Sequence, residues 1–521
     1  MVTTRPTGYT ERFMPSDFQQ IDLTFLSRPA AIKYAEHVTR LRLADDRQHA
    51  DELLARFREA TRDEAIVRLI RTPLQILMLT FILEHGGVMA ANRYQLFWGY
   101  YQAVFRREAR KETTLRSFFQ EYEEVIADLH SRAGLILHVG CEGSGEARPK
   151  LARSELAQIA RERLIDIGVY TDLALDSAVK KLLDIAHTRL ILLVADEGGT
   201  VSFEVRSLQE VMAARALTDG SDEQIGDNLR VTAPSPHWRN VWLFAAGRLF
   251  EESDHRRNLV LDVVETLDAA KNGLGWLYPV APSLAADMIN DDLAAAKPRW
   301  LRRLAAVTAS VVDGPMPDDP HAIAQALGRA VTQDTDAALQ IREVVKTALL
   351  GGPGESFVIA ALIATYRTLK PIPGELSPLK AAKLHEAWLD DPPDATDLGS
   401  VSNLLVAKLH ELAGDHLGPT ESMVRDAFGD CDHLHMVRTD EGLVVPGRAW
   451  AAHKPSPRIR AAAGDADAVG ILRLCLDDLG RDDWLARTLI AHAFYLEWFR
   501  LPVGGRLNLP YLPVHATPDV A

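Results

Sequence analysis

Two short apolar runs, RLILLV at residues 189–194 and TVSFEV at residues 200–205, flank the turn sequence DEGG at residues 196–199. Branched and aromatic residues favour strands, and a glycine-rich turn between two such runs is typical of a β-hairpin. Stretches with helical periodicity lie on both sides of this hairpin. The region is therefore predicted to be a small antiparallel element set among helices.

The residues around the hairpin predict a compact helical module. Ser154 is expected to cap a helix that ends near Ile167, and Asp172 to start a second helix that ends near Ala186. Two helices, a hairpin and a further helix make the layout of a winged-helix domain, which we place at residues 113–220.

A helical domain is predicted at residues 26–112. Thr72-Pro73 should open one of its helices, because threonine is a good N-cap and proline suits the first helical position. The apolar run Leu74–Leu83 leaves little polar face, so this helix is expected to be buried, and Gly86-Gly87 should end it.

Beyond residue 220, helical stretches alternate with proline and glycine breaks. This pattern predicts an irregular helical repeat array at residues 221–509, followed by an extended tail at residues 510–521. Within the array, Trp238, Trp242 and Phe244 have helical spacing and are expected to lie in a core.

The first residues have a strand-like pattern that differs from the helical pattern of most of the chain. Met1–Arg5 resembles a strand that stops at Pro6, and Gln20–Leu23 is one further candidate strand nearby. A strand needs neighbours to satisfy its backbone groups. We therefore expect residues 1–25 to be the remnant of an α/β sheet whose other strands lie upstream or in a partner chain. The predicted fold class is mainly α.

Composition limits the classes of function. The net charge of −14 argues against a chain that coats nucleic acid, since that role needs basic surface. Three widely spaced cysteines suit a reducing compartment rather than a disulfide framework. No signal peptide and no apolar run of about 20 residues is evident, so we expect a cytoplasmic protein without a membrane contact.

Three segments carry a family resemblance when read in order. They are TTRPTGY (residues 3–9), RTPLQIL (residues 71–77) and FEVRSLQE (residues 203–210), the last followed by Ala213-Ala214. Together they resemble the sensor arginine strand, the helical-domain motif and the winged-helix signature of the NACHT branch of STAND NTPases. The resemblance covers about residues 1–250.

The resemblance implies roles for three residues. Arg5 would sense the terminal phosphate, since a guanidinium binds phosphate oxygens in a forked, charge-assisted manner. Pro73 would lie against the bound nucleotide. Many relatives carry a phosphate-binding histidine where this chain has Val205, so Arg206 is the nearest charged substitute. Gln209 and Glu210 would hold the winged helix to its neighbours.

Each assignment has a plainer alternative. Arg5 is also consistent with an exposed arginine before a turn, and Pro73 with an ordinary helix-start proline. No Gly-x-x-x-x-Gly-Lys-Ser/Thr sequence occurs, and no apolar strand ending in acidic residues precedes Arg5. ATP or ADP is thus expected in the intact protein, whereas this chain alone should neither bind nucleotide nor act as an enzyme.

Other polar groups favour structural roles. Cys431, His433 and His435 lie close together, but no second ligand pair follows at a zinc-site spacing. The acidic residues from Glu121 to Asp128 have no partner base and indicate a solvated face. The predicted winged-helix helices carry mixed charges, which favours protein packing over DNA binding. We expect no metal site.

The sequence thus predicts the regulatory and sensor portion of a NACHT-type signalling NTPase. Its helical array would detect a ligand or a protein partner and allow homo-oligomerisation, with antiphage defence as the best-known setting of the family. The alternative is a freestanding helical-repeat scaffold that binds proteins. A transcription factor would need a basic stripe on a winged-helix helix.

Overall fold

The computed structural model describes most of the chain before residue 345 and short segments after it. The described residues are 25–87, 89–90, 92–111, 116–144, 149–169, 172–186, 192–195, 198–268, 279–313, 320–341, 344, 437–439, 442–444, 503–507 and 509. The chain divides into two compact units, one comprising Asp22–Val260, Asp291–Leu293 and Pro502–Ala521, the other Met1–Ile21, Leu261–Asn290 and Ala294–Leu501.

Helices dominate the described residues, which agrees with the predicted mainly α class. Among these residues, no helix combines the length and apolar character that crossing a bilayer requires. Up to residue 266 the α-helices are α1 (Arg28–Arg42), α2 (Arg47–Ala60), α3 (Glu64–Leu69), α4 (Pro73–Glu84), α5 (Arg93–Lys111), α6 (Arg116–Glu121), α7 (Glu123–Ser144), α8 (Arg153–Asp166), α9 (Asp172–Asp184), α10 (Arg206–Leu217), α11 (Asp222–Thr232), α12 (Arg239–Glu252) and α13 (Asp254–Thr266).

Helix α4 starts and ends where its sequence predicts. The Thr72 hydroxyl accepts from the Gln75 backbone N–H at 3.4 Å, and the Gln75 side chain accepts from the Thr72 N–H at 3.0 Å. This reciprocal capping box leaves Pro73 at the first helical position. After His85, Gly86 takes a φ of +67°, a left-handed conformation that stops the helix and suits glycine.

A three-stranded antiparallel sheet follows, with strand order β1-β3-β2. Its strands are β1 (Leu151–Ala152), β2 (Leu193–Ala195) and β3 (Thr200–Phe203). The predicted hairpin is confirmed by the pairing of Leu193 with Phe203 and of Ala195 with Val201. Strand β1, which the sequence did not predict, pairs through Leu151 with Val201. The chain therefore runs helix, strand, two helices and hairpin from α7 to β3.

Two predicted boundaries are wrong, for the same physical reason. The second hairpin strand ends at Phe203 rather than Val205, because the Val205 carbonyl already accepts from the Leu208 and Gln209 N–H groups at 3.0 and 3.2 Å. Ser154 does not cap α8; the side chain of Glu155 instead accepts from the Ala152 N–H at 3.0 Å. In each case a hydrogen bond made within four residues sets where the helix starts.

The core of this unit includes the predicted aromatic cluster. Trp238, Trp242 and Phe244 are each at most 1% exposed. The Trp242 indole N–H donates to the Leu229 carbonyl at 3.0 Å, so its polar end is satisfied. Trp238 belongs to a 3-10 turn at Pro236–Trp238 that precedes α12.

The second unit is partly described. It contains α14 (Ala281–Asn290), α15 (Pro298–Ala309), a 3-10 turn at Ser310–Asp313, α16 (Pro320–Gln333) and helical residues 335–341. It also contains a hairpin of β4 (Val437–Thr439) and β5 (Gly442–Val444), so the region predicted as a purely helical array includes strands. The predicted strands at the N-terminus and the Cys431–His435 group lie outside the described residues.

Helices α7 and α10 approach at Gly134 more closely than a side chain would allow. A Cβ atom placed on Gly134 would lie 2.7 Å from the Met212 Cβ and 3.0 Å from both the Ala213 nitrogen and the Gln209 carbonyl oxygen. Ala213 and Ala214 are fully buried on the facing helix. Small residues on both helices therefore bring the two backbones together.

We expect Gly134→Ala to destabilise the protein by about 1 to 3 kcal/mol, because backbone atoms of α10 cannot move aside as a flexible side chain could. Gly140→Ala on the same helix is the matched control, since its added Cβ would meet only Pro149 at 3.9 Å. The control should be neutral or stabilising by up to about 1 kcal/mol, because alanine favours a helix. Urea unfolding measures the stability of both variants. Equal effects of the two substitutions would contradict the close approach of α7 and α10 at Gly134.

Candidate functional site

The structure places two of the three residues that the resemblance singled out. Arg5 lies outside the described residues. Pro73 is the first residue of α4 and is exposed, whereas Arg206 is the first residue of α10 and is half-buried. Helix α4 packs on α1, α2 and α5, and α10 packs on α7, α12 and α5. Helix α5 is therefore a neighbour of both.

The start of α4 lies beside a partly buried positive charge. The guanidinium carbon of Arg71 lies 3.8 Å from the centre of the Phe25 ring, and the Leu26 N–H donates to the Arg71 carbonyl at 2.9 Å. Burial lowers the pKa of Arg71, although Asp291 acts in the opposite direction. Residues 25–26 thus attach to the chain immediately before Pro73, and the cation–π contact holds the guanidinium there.

Arg206 already has an anionic partner. Its Nε lies 3.2 Å from an oxygen of Glu210, one turn along the same helix. The Glu210 side chain is 3% exposed, while that of Arg206 is 30% exposed. Gln209 is also buried. The expectation that Gln209 and Glu210 serve packing agrees with this burial, and an anion at Arg206 would have to share the guanidinium with Glu210.

A cation–π stack connects α5 to α10. The guanidinium carbon of Arg215 lies 3.6 Å from the centre of the Trp98 ring, and its NH1 donates to the Tyr94 hydroxyl at 3.0 Å. Trp98 stacks on Tyr101 with ring centres 4.8 Å apart. Since desolvation strengthens cation–π contacts, this half-buried stack fixes the rotation of α10 against α5.

A buried histidine pair lies near Arg206. The rings of His138, on α7, and His237, in the 3-10 turn before α12, have centres 4.2 Å apart. His237 Nε2 donates to the His138 carbonyl at 3.0 Å. His138 is fully buried, and neither of its ring nitrogens has a hydrogen-bond partner among the described residues. Trp238 packs edge-on against His138, with ring centres 4.6 Å apart.

Electrostatics keep both imidazoles neutral. Burial lowers the pKa of His138 well below its usual 6.5, and the positive charge of Arg206 lowers it further. Burial also lowers the pKa of His237, against the opposing effects of its bond to the His138 carbonyl and of Glu142. Arg206 again acts in the lowering direction. The pair is thus a neutral polar centre between one cation and one carboxylate.

Glu142 completes this polar centre. One of its carboxylate oxygens accepts from the Gly504 N–H at 2.8 Å, and the other lies 3.4 Å from the Ser235 hydroxyl. We use the name polar centre for His138, Glu142, Arg206, Ser235 and His237. It holds neutral imidazoles, a carboxylate and a guanidinium, and this combination can bind backbone amides and anions. Its one hydroxyl, that of Ser235, donates to Glu142.

The sequence missed this centre although a signal was present. His130, Gly134, His138 and Glu142 follow one another at intervals of four residues, which places them along neighbouring turns of α7. Two histidines and a glutamate at that spacing, between apolar residues of α7, indicate a polar stripe along one face. Their partners could not be deduced, because His237 lies 99 residues and Gly504 lies 362 residues from the groups they contact.

Two comparisons with known proteins identify no relative of this chain. A scan against protein-family models and a search of curated proteins both find no match to this chain. Among the described residues, no group of histidine, cysteine and carboxylate side chains is arranged to hold a metal ion. The interpretation of the polar centre therefore depends on its own geometry.

The histidine pair predicts a pH-dependent stability. Because the pKa of His138 is lower in the folded protein, the unfolded chain binds more protons as the pH falls through 6.5. We expect the free energy of unfolding to fall as the pH drops from 7 to 5, most steeply below the unfolded pKa of about 6.5. Chemical denaturation across this range measures it.

Substitution of single histidines tests whether the histidine pair causes this pH dependence. His138→Leu should flatten the pH profile, since leucine cannot be protonated. His37→Leu, at an exposed position of α1, is the control and should leave the profile unchanged. A wild-type protein with constant stability from pH 7 to pH 5 would contradict the assignment of neutral imidazoles to the pair.

Proposed function

We propose that this chain is the regulatory and sensor portion of a NACHT-type signalling NTPase. The observation that supports this proposal is the succession from α7 to α10. A helix, a strand, two helices and a hairpin with strand order β1-β3-β2 form the layout of a winged helix, at the position that the resemblance assigns to that domain. The Ser-Leu-Gln-Glu motif at residues 207–210 opens the following helix.

The proposed regulation uses α5 as the link between the two candidate nucleotide contacts. Pro73, at the start of α4, would lie against the base or sugar, and Arg206, at the start of α10, would face the phosphates. Both helices pack on α5, and the stack of Arg215 on Trp98 joins α5 to α10. A change at one contact would thereby move the other, which is what a two-state switch requires.

In this proposal, nucleotide chemistry would belong to a domain outside these 521 residues. The 521 residues contain no Gly-x-x-x-x-Gly-Lys-Ser/Thr loop, whose backbone N–H groups would cradle the phosphates. In this proposal the chain closes over an ADP-bound core, and residues after 220 detect a ligand or a protein partner. Detection shifts the population to an open state that oligomerises, in a setting such as antiphage defence.

Equilibrium titration with labelled ADP and ATP tests the proposal. We expect no binding to the 521-residue chain at millimolar nucleotide, and retention of ADP when the chain is expressed with the in-frame coding sequence upstream of it. In that longer protein, Arg206→Ala should weaken ADP binding by about tenfold or more, because a charge-assisted hydrogen bond is lost. Tight binding by the shorter chain would contradict the proposal.

Matched substitutions separate nucleotide contact from stability. Glu210→Gln removes the charge partner of Arg206 but keeps the guanidinium, so ADP binding should persist or strengthen. Pro73→Ala should speed ADP release, whereas Pro298→Ala, at the first position of α15, makes the same helix-start change elsewhere and should not. If the two proline substitutions changed the rate of ADP release equally, Pro73 would act only as an ordinary helix-start residue.

A freestanding protein-binding scaffold is the second candidate. The ion pair between Arg206 and the buried Glu210 favours it, since this arginine already has a structural partner. The capping box explains Pro73 equally well as a helix start. In that case the upstream DNA would encode no Gly-Lys-Ser/Thr loop, and Arg206→Ala would lower stability without any effect on nucleotide.

A further inference from the structure

Three arginines and two aspartates cluster near the start of helix α4. Arg68 lies in α3, Arg71 lies between α3 and α4, and Arg93 is the first residue of α5. The two aspartates, Asp291 and Asp292, come from much later in the sequence but belong to the same compact unit as these helices. The cluster is therefore made by the fold and not by neighbours in the chain.

Two of the arginines are neutralised by the aspartates. The Nε of Arg68 donates to the Asp292 carboxylate at 2.6 Å, and the Asp292 side chain is 4% exposed. The NH1 of Arg93 lies 3.0 Å from an oxygen of Asp291. A carboxylate as buried as that of Asp292 depends on its cation, because an unpaired buried charge is strongly destabilising. Both aspartates thus already have their partners.

Arg71 is the third arginine of the cluster, and it forms no ion pair in the described part of the chain. The charge that acts on it is that of Asp291, which is already bound to Arg93. Burial has nevertheless removed part of its hydration, and this lowers the pKa of Arg71. A cation that has lost water without gaining a carboxylate attracts an added anion more strongly than a fully hydrated one does.

The Arg71 side chain is held in place and is still reached by solvent. Its guanidinium carbon lies 3.8 Å from the centre of the Phe25 ring, and its backbone carbonyl accepts from the Leu26 N–H at 2.9 Å. The residue is half-buried. Because the guanidinium is already held, an anion that binds it loses little binding free energy to the ordering of this side chain.

The comparison with Arg206 favours Arg71 as an anion contact. An anion at Arg206 has to share the guanidinium with Glu210, whose side chain is 3% exposed. Arg71 has no such competitor within the described residues. It also precedes Pro73 by two residues, a span of at most about 7 Å that an arginine side chain can cover. An anion at Arg71 would therefore lie beside whatever touches Pro73.

We propose that Arg71 binds a phosphate group of the nucleotide, the one nearest the sugar that lies against Pro73. The inference rests on the proposed function, because it needs a nucleotide at the start of α4. The guanidinium donates a forked pair of N–H groups to the phosphate oxygens. ADP and ATP share this phosphate, whereas adenosine lacks it. Arg71 therefore contributes to the affinity for both nucleotides and does not distinguish between them.

Equilibrium titration of the longer protein, expressed with the in-frame upstream coding sequence, tests the role of Arg71. Arg71→Ala should weaken ADP and ATP binding by the same factor, about tenfold or more, since each nucleotide loses one charge-assisted contact. Adenosine, measured by competition, should bind as to wild type. Arg71→Lys should weaken ADP and ATP less, because it keeps the charge and loses only the fork. Arg40→Ala, at an exposed position of α1, is the matched control and should change nothing.

A gain in affinity separates a phosphate contact from a structural role. Asp291→Asn removes the carboxylate that acts on Arg71 and leaves Arg93 without its ion pair, so the positive charge around Arg71 rises. ADP and ATP should then bind about twofold to fivefold tighter, and the gain should shrink as salt is added. If Arg71 served packing alone, removal of this carboxylate would give no gain.

The outcomes distinguish this inference from the proposed function. If wild type retains ADP and Arg71→Ala binds both nucleotides equally well, Arg71 has no phosphate contact and the proposed function stands. A loss confined to ATP would overturn the placement at the phosphate nearest the sugar. Weaker adenosine binding by Arg71→Ala, without a gain in Asp291→Asn, would make Arg71 a structural residue. If the wild-type longer protein retains no ADP, both proposals fail.

Discussion

At Gly134 the backbones of α7 and α10 are so close that a single methyl group would collide with main-chain atoms. This approach places Gly134 directly against Gln209, Met212 and Ala213 of α10. It also fixes what the next turns of α7 face, because His138 and Glu142 follow Gly134 at four-residue intervals. The α7 residues of the polar centre therefore begin one turn beyond this close crossing.

The crossing also makes a buried polar centre tolerable. A buried imidazole without a hydrogen-bond partner destabilises a fold by about 1 to 3 kcal/mol. A single well-buried leucine contributes about 1.5 to 3 kcal/mol. The interface offers several fully buried residues, among them Leu135, Val211 and Met212. Apolar packing therefore outweighs the penalty at His138, and the unfavourable group can persist where it is.

The two candidate nucleotide contacts and the polar centre are positioned by different means. Capping hydrogen bonds set Pro73, whereas Arg206 is set by the end of a strand and by its ion pair with Glu210. His138, His237 and Glu142 are brought together by packing between distant segments. A substitution in α5 or at Gly134 would accordingly disturb His138, His237 and Glu142 more than Pro73. The helix cap at Pro73 is made within four residues.

Local chemistry determined what the sequence could predict. The limits of α4, the presence of the β2–β3 hairpin and the burial of Trp238 follow from caps, turns and periodicity within a few residues. Tertiary structure alone decided the third strand, the histidine pair and the bond from Gly504 to Glu142. A two-residue strand has no pattern of its own, and the partner of a buried side chain 99 or 362 residues away leaves no trace in local propensity.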